Sequence, residues 1–115
     1  NFDFACIFDA LHDMGDPVGV SKAILNTLNK DGTFMLVEPY AQDELKDNLN
    51  IASGLFYTFS TLICVPTSRS QDVGLQLGAQ AGEKRLRSVL KEAGFSDIQR
   101  RCVDIETNIV LEAKA

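Results

Sequence analysis

The sequence holds no tryptophan, a single histidine and three cysteines in 115 residues. Cys6, Cys64 and Cys102 are odd in number, form no Cys-x-x-Cys pair and stand near no histidine cluster. Neither a disulfide framework nor a metal site is therefore expected, and a reducing, cytoplasmic setting suits these thiols. Positive charge is also scarce: 11 Lys and Arg face 16 Asp and Glu, for a net charge of -5. Nucleic-acid affinity comes largely from basic side chains displacing counterions, so no nucleic-acid partner is expected. A small molecule or a basic partner fits better. The longest greasy stretch, Ile51 to Val65, is broken by Ser53, Gly54, Thr58, Ser60 and Thr61. It falls short of the ~20 apolar residues that cross a bilayer, and no membrane span is expected. Missing too are a Gly-x-Gly-x-x-Gly turn and the Gly-x-Ser-x-Gly elbow of many hydrolases. The opening Asn-Phe-Asp-Phe lacks an initiator Met and the basic start of a signal peptide, so the sequence reads as cut from a longer one.

What is present suits one compact core, with 45% hydrophobic and 23% charged residues. Phe2 to Phe8 is a short apolar run whose continuous part, Phe4 to Phe8, suits a strand covered on both faces. Asp16-Pro17 reads as N-cap and first helical position. The helix that follows carries Val20, Ala23, Ile24, Leu25 and Leu28 on one side and stops at Lys30-Asp31-Gly32. Thr33 to Val37 is a second buried-type strand ending at Glu38-Pro39. Strand, helix and strand in so short a span require a right-handed parallel crossover.

Leu45, Leu49, Ala52, Phe56, Phe59 and Ile63 recur at helical intervals, predicting one long or broken helix from Asp43 to Cys64 that Pro66 terminates. Thr67 to Gly82 reads as irregular or weakly helical. Glu83 to Ala93 is an amphipathic helix with Leu86, Val89 and Leu90 inward and Gly94 as its stop. Ile98 to Val103 and Asn108 to Ala113 are two further strands. The short link between them cannot make a parallel crossover, so they form an antiparallel hairpin.

In this order, the Phe8-Asp9-Ala10-Leu11-His12-Asp13-Met14-Gly15-Asp16-Pro17 segment, the Asp31-Gly32-Thr33 turn, Val37-Glu38-Pro39, the Ala93-Gly94-Phe95 turn and the closing hairpin resemble the C-terminal half of class I methyltransferases, in particular a bacterial small-molecule subgroup. The resemblance covers nearly the whole chain. It implies an α/β, Rossmann-like architecture: a partial methyltransferase fold whose four-stranded mixed sheet runs first-second-fourth-third, the last strand antiparallel, with flanking helices. It further implies S-adenosylmethionine as cofactor and a small-molecule methyl acceptor. Residues 1–115 then form the C-terminal part of the domain, the glycine-rich cofactor loop lies outside them, and the fragment alone is expected to be inactive.

Ligands of open α/β sheets gather at the C-terminal ends of the strands. By the resemblance, Asp9, Ala10 and Leu11 lie beside the methionine portion of the cofactor. Methyl transfer is an in-line displacement, so the protein has to align the acceptor and take its proton. His12 is the candidate base, with Asp13 or Glu38 to orient it; otherwise it hydrogen-bonds the loop backbone. Glu38 either contacts acceptor or cofactor or satisfies loop amides. Tyr40, Phe56 and Phe59 are candidate acceptor contacts, although aromatics at helical spacing also build plain core. Cys64 reads as a buried, inert thiol, and the basic residues from Lys84 to Arg101 as solvated faces. A rival reading is a non-catalytic module that pairs through its first strand or long helix. Either reading leaves a bare strand edge, and a two-fold dimer across that edge or the helix is expected.

Overall fold

The computed structural model describes residues 1–115. Strand β1 (Phe2–Phe8) leads through a 3-10 turn at Leu11–Asp13 to helix α1 (Pro17–Thr27) and strand β2 (Leu28–Pro39). After a second 3-10 turn come α2 (Ile51–Phe59), a π-helical segment (Ser60–Cys64) and α3 (Val65–Arg69). Helix α4 (Glu83–Ala93) and the hairpin β3 (Asp97–Arg101) and β4 (Asn108–Lys114) close the chain. The sheet order is β1-β2-β4-β3, with β1 and β2 parallel and β4 antiparallel to both of its neighbours. This is the expected architecture.

Local chemistry sets the element ends. The Asp16 carboxylate accepts the Gly19 N–H at 2.8 Å and Pro17 stands in the first turn of α1. Gly94 takes the left-handed conformation at φ 110°, which lets the Phe95 N–H return to the Leu90 carbonyl and close α4. The other end of α4 has no cap of its own. Asp43, distant in sequence, accepts the Lys84 N–H at 2.8 Å instead.

Three helix boundaries depart from expectation. The long helix begins at Ile51 rather than at Asp43, because Leu45–Asn48 forms a 3-10 turn and the Asn50 side chain caps the helix by accepting the Ser53 N–H at 2.9 Å. Helix α1 stops at Thr27 rather than at Lys30-Asp31-Gly32, because Leu28 is buried opposite Phe2 and starts the strand early, with a register shift before Phe4 meets Thr33. Pro66 does not end the long helix. The Val65 N–H reaches back five residues to the Ser60 carbonyl, and Pro66 falls in the first turn of α3, where a proline costs least. Ile51–Arg69 thus forms one helical run of 19 residues with mean hydropathy 1.3, long and apolar enough by composition to cross a bilayer. Here its buried stripe docks on the domain: the Ser60 hydroxyl accepts the Ala79 N–H, and the Ser68 hydroxyl donates to the Met14 carbonyl.

The core lies between the sheet and α4, where Phe34, Leu36, Leu86, Leu90, Ile109 and Leu111 are buried. Phe34 meets Phe95 with ring centroids 5.5 Å apart, and α1 packs against α4 on the same face. The opposite side is unlike this. Phe2, Phe4 and Phe8 of the edge strand β1 are each more than half exposed, as are Ile51, Leu55, Leu62 and Ile63 along the helical run.

Candidate active site

Asp9, the residue after strand β1, adopts φ 46°, an uncommon conformation for a residue with a side chain. Two bonds hold it there, and a third joins the Asn108 side chain to the end of β2. Its N–H donates to the Val37 carbonyl at 2.8 Å, and the Asn108 side-chain amide donates to its carboxylate at 2.7 Å and to the Glu38 carbonyl at 3.3 Å. Asn108, at the start of β4, thereby ties together the ends of β1 and β2. Beyond Asp9 the chain turns at once into the 3-10 turn. Gln71 clamps that loop from outside: its amide donates to the Asp13 carbonyl and its oxygen accepts the Gly15 N–H, both at 2.9 Å.

The turn delivers His12 to Glu38 at the end of β2. Both side chains are almost fully buried, at 5% and 2% exposure, and His12 Nδ1 bonds Glu38 Oε2. The other carboxylate oxygen, Oε1, accepts the Leu11 N–H at 2.8 Å. Of the two roles open to His12, the structure supplies the carboxylate partner rather than a bond to loop backbone. Glu38 is both a carboxylate satisfying a loop amide and the group orienting the imidazole. An ionised carboxylate only accepts, so in the neutral ring Nδ1 carries the proton and Nε2 keeps its lone pair. Burial alone would lower the His12 pKa; the hydrogen bond and charge of Glu38, with help from Asp13 and Asp9, outweigh it and hold the value above the ordinary one.

A cavity of about 420 Å³ opens beside this pair, bordered by Asp9, His12, Phe56, Phe59, Cys64 and Asn108 among others. That volume is in the range of small-molecule sites. No lysine or arginine borders it. Asp13 approaches His12 Nε2 at 3.4 Å through Oδ1, an atom that is buried and lacks a hydrogen-bond partner.

Of the residues singled out in the sequence, His12, Asp13 and Glu38 converge, and Asp9, Phe56 and Phe59 border the cavity beside them. Three others are placed differently. The Leu11 side chain is wholly buried in the core, so only its backbone faces the site loop, and Ala10 accepts the Asp13 N–H within the 3-10 turn. Tyr40 borders neighbouring depressions instead: its N–H bonds the Thr107 carbonyl and its ring lies 5.6 Å from the Arg100 guanidinium. Cys64 and Asn108 were not expected at the site. Cys64 is buried, as expected of an inert thiol, and burial together with Asp13 pushes its pKa up to about 11.

No family model matches the sequence, and no curated protein matches it. Solved structures do. The S-adenosylmethionine-dependent methyltransferase SibL, in its apo form, superimposes with a TM-score of 0.72 at 14% identity over 99% of this chain and 31% of that one. The mitomycin 7-O-methyltransferase MmcR gives 0.70 at 19% identity, over 99% of this chain and 30% of that one. The fold is that of a part of these methyltransferase structures. Human N-acetylserotonin methyltransferase in complex with SAM extends the likeness, with a TM-score of 0.66 at 18% identity over 97% of this chain and 29% of that one. This methyltransferase-fold chain thus spans about 30% of the length of the solved structures it matches.

Proposed function

We propose that this chain forms the acceptor side and part of the cofactor wall of an S-adenosylmethionine-dependent methyltransferase acting on a small molecule. The observation that carries the reading is the buried His12–Glu38 pair at the strand ends of a methyltransferase fold, with Nε2 free beside a cavity of small-ligand size. Bound there, S-adenosylmethionine would supply an electrophilic methyl group. The residues fit a cationic sulfonium: Asp9, Asp13 and Glu38 surround the imidazole and no basic side chain borders the cavity. The Asp9–Leu11 backbone, held by Asn108, stands where it would flank the methionine portion.

The chain's own residues then have distinct tasks. Phe56 and Phe59 supply an apolar wall against which a flat acceptor packs. His12 Nε2 takes the proton that the reacting atom of the acceptor gives up, and Glu38 stabilises the imidazolium that results. Asp9 and Asn108 fix the loop on which the histidine stands.

The test has two arms. Calorimetric titration of the 115-residue protein with S-adenosylmethionine is expected to show no micromolar affinity, because no glycine-rich phosphate-type loop is among its residues, whereas a protein completed with such a half is expected to bind. In the completed protein, His12→Ala should lower turnover by a factor of ~100 to 10,000 with cofactor affinity nearly intact. Tight binding by this chain alone, or an unchanged rate in the variant, would overturn the assignment of roles.

A second reading, a module that associates without catalysis, draws on the bare edge of β1 and its exposed Phe2, Phe4 and Phe8. Under either reading we propose a two-fold dimer across that edge or across the Ile51 to Ile63 face.

A further inference from the structure

The π-helical segment borders the site. Ser60 and Cys64, four residues apart in it, are both buried, and Cys64 borders the same cavity as His12. One ligand-type atom each from His12, Asp13 and Cys64 lies within 4.8 Å of the others. The histidine is 5% exposed, and no hydrogen bond occupies its Nε2, which faces Asp13 Oδ1 at 3.4 Å. That oxygen is itself buried without a hydrogen-bond partner. Three donors of different chemistry therefore face one point. Behind the imidazole, Glu38 holds Nδ1.

We propose that His12 Nε2, Asp13 Oδ1 and Cys64 Sγ form a binding site for a thiophilic divalent cation of the zinc class. Imidazole, carboxylate and thiolate are the ligand types zinc takes, and three protein ligands with an open fourth position describe its non-structural sites. Bond lengths of about 2.0 to 2.3 Å place the ligand atoms of a tetrahedron roughly 3.3 to 3.8 Å apart, so small side-chain rotations close the present set on an ion. The carboxylate on the far nitrogen of the ligating histidine supplies the outer support such sites use. Asp9 adds further negative charge, and no basic side chain borders the cavity to oppose a cation. The fourth position opens toward the cavity. On binding, the thiol proton leaves to solvent and the sulfur becomes a thiolate ligand.

The consequence for activity rests on the role proposed above for His12. A cation on Nε2 occupies the lone pair that would receive the acceptor's proton, so metal and methyl transfer exclude one another, and the cation acts as an inhibitor of the site.

Binding is measured without cofactor or acceptor, so its outcome is independent of the catalytic reading. Zinc is titrated by calorimetry into the chelator-stripped protein, and cobalt is substituted and followed by absorbance. One equivalent with micromolar or tighter affinity and a thiolate-to-cobalt charge-transfer band are expected. Cys64→Ser should remove the band and weaken zinc by about tenfold or more, and Asp13→Asn, at a partly exposed position that folding tolerates, should weaken it to a similar extent. Replacing the exposed Cys6 and Cys102 by serine should change neither readout. Absence of saturable binding overturns the proposal, as does a band that follows Cys6 or Cys102, or an affinity indifferent to both Cys64→Ser and Asp13→Asn. If metal binds as described yet the completed enzyme is insensitive to zinc, the site stands and the base role of His12 falls.

Discussion

Replacing Glu38 separates what this carboxylate does for stability from what it does for chemistry. In Glu38→Ala two buried donors lose their acceptor, the Leu11 N–H at 2.8 Å and His12 Nδ1–H, and neither has access to water. Each unsatisfied group costs ~1 to 3 kcal/mol, so the variant should lose about 2 to 6 kcal/mol. That is a large share of the roughly 5 to 15 kcal/mol available to a domain. With a urea m-value of ~2 kcal/mol/M the denaturation midpoint should fall by about 1 to 3 M. Glu38→Gln should behave otherwise. Its amide oxygen still accepts the Leu11 N–H, and its NH2 then faces Nδ1, which must become the acceptor. The imidazole proton moves to Nε2, and the lone pair on the cavity disappears. Stability should drop by only ~1 kcal/mol, the difference between a charge-assisted and a neutral hydrogen bond. Long-range nitrogen-15 spectra of His12, recorded where the ring is neutral, report the tautomer directly. Glu38→Ala unfolding at the wild-type midpoint, or Glu38→Gln retaining the Nδ1–H form, would contradict these roles of the carboxylate.

Further expectations concern the thiols, the sheet edge and an ion pair. Alkylation of the metal-free protein at neutral pH should modify Cys6 and Cys102 and spare Cys64 until the protein unfolds, since Cys64 is buried with its pKa pushed up to about 11; mass spectrometry that finds all three labelled in the native state would contradict this. Light scattering should show a dimer that Ile7→Lys dissociates if β1 is the contact, while a monomer at high micromolar concentration rules the dimer out. Glu112 titrates below its ordinary value because Arg101 hydrogen-bonds it at 2.7 Å. The contribution of this pair is present above the unfolded carboxylate pKa and is lost as pH falls through the folded one. Arg101→Ala should return the Glu112 titration, followed by carbon-13 NMR, toward the ordinary range; an unmoved curve would assign the shift elsewhere.

The order of elements, the parallel crossover and the closing hairpin were legible in the sequence because they follow from local signals, whereas the order of the strands in the sheet came from the resemblance to a family. Asp16-Pro17, Gly94 and the two apolar strand runs each act within a few residues, and the short β3–β4 link dictates a hairpin. His12 and Glu38 were legible as candidates because the fold puts both at strand ends. The cavity wall was less so. Cys64 reaches the site only through the docking of a helical run remote in sequence, and no spacing rule connects it to His12-Asp13 some fifty positions earlier. Asn108 was invisible for a similar reason, as its bonds to Asp9 and to Glu38 span most of the chain. Tyr40 follows the site residues directly yet faces away: as β2 ends, its N–H pairs with Thr107 and its ring is held beside Arg100.

A π-helical segment amounts to one residue more than a regular helix needs. Losing any single residue between Ser60 and Cys64 would restore an unbroken α-helical ladder, and on backbone hydrogen bonding alone such a deletion looks harmless. The wide turn absorbs that extra residue, so the helix beyond it keeps the direction it would have in an unbroken ladder, and Ser68 would stay on the Met14 carbonyl it holds at 2.9 Å. Removing a residue from the regular turns of α2 instead would turn everything after it by about a quarter turn or more and carry Ser68 off that carbonyl. The segment Ser60–Cys64 is therefore the place where this helix can change length without changing which side chains meet the domain.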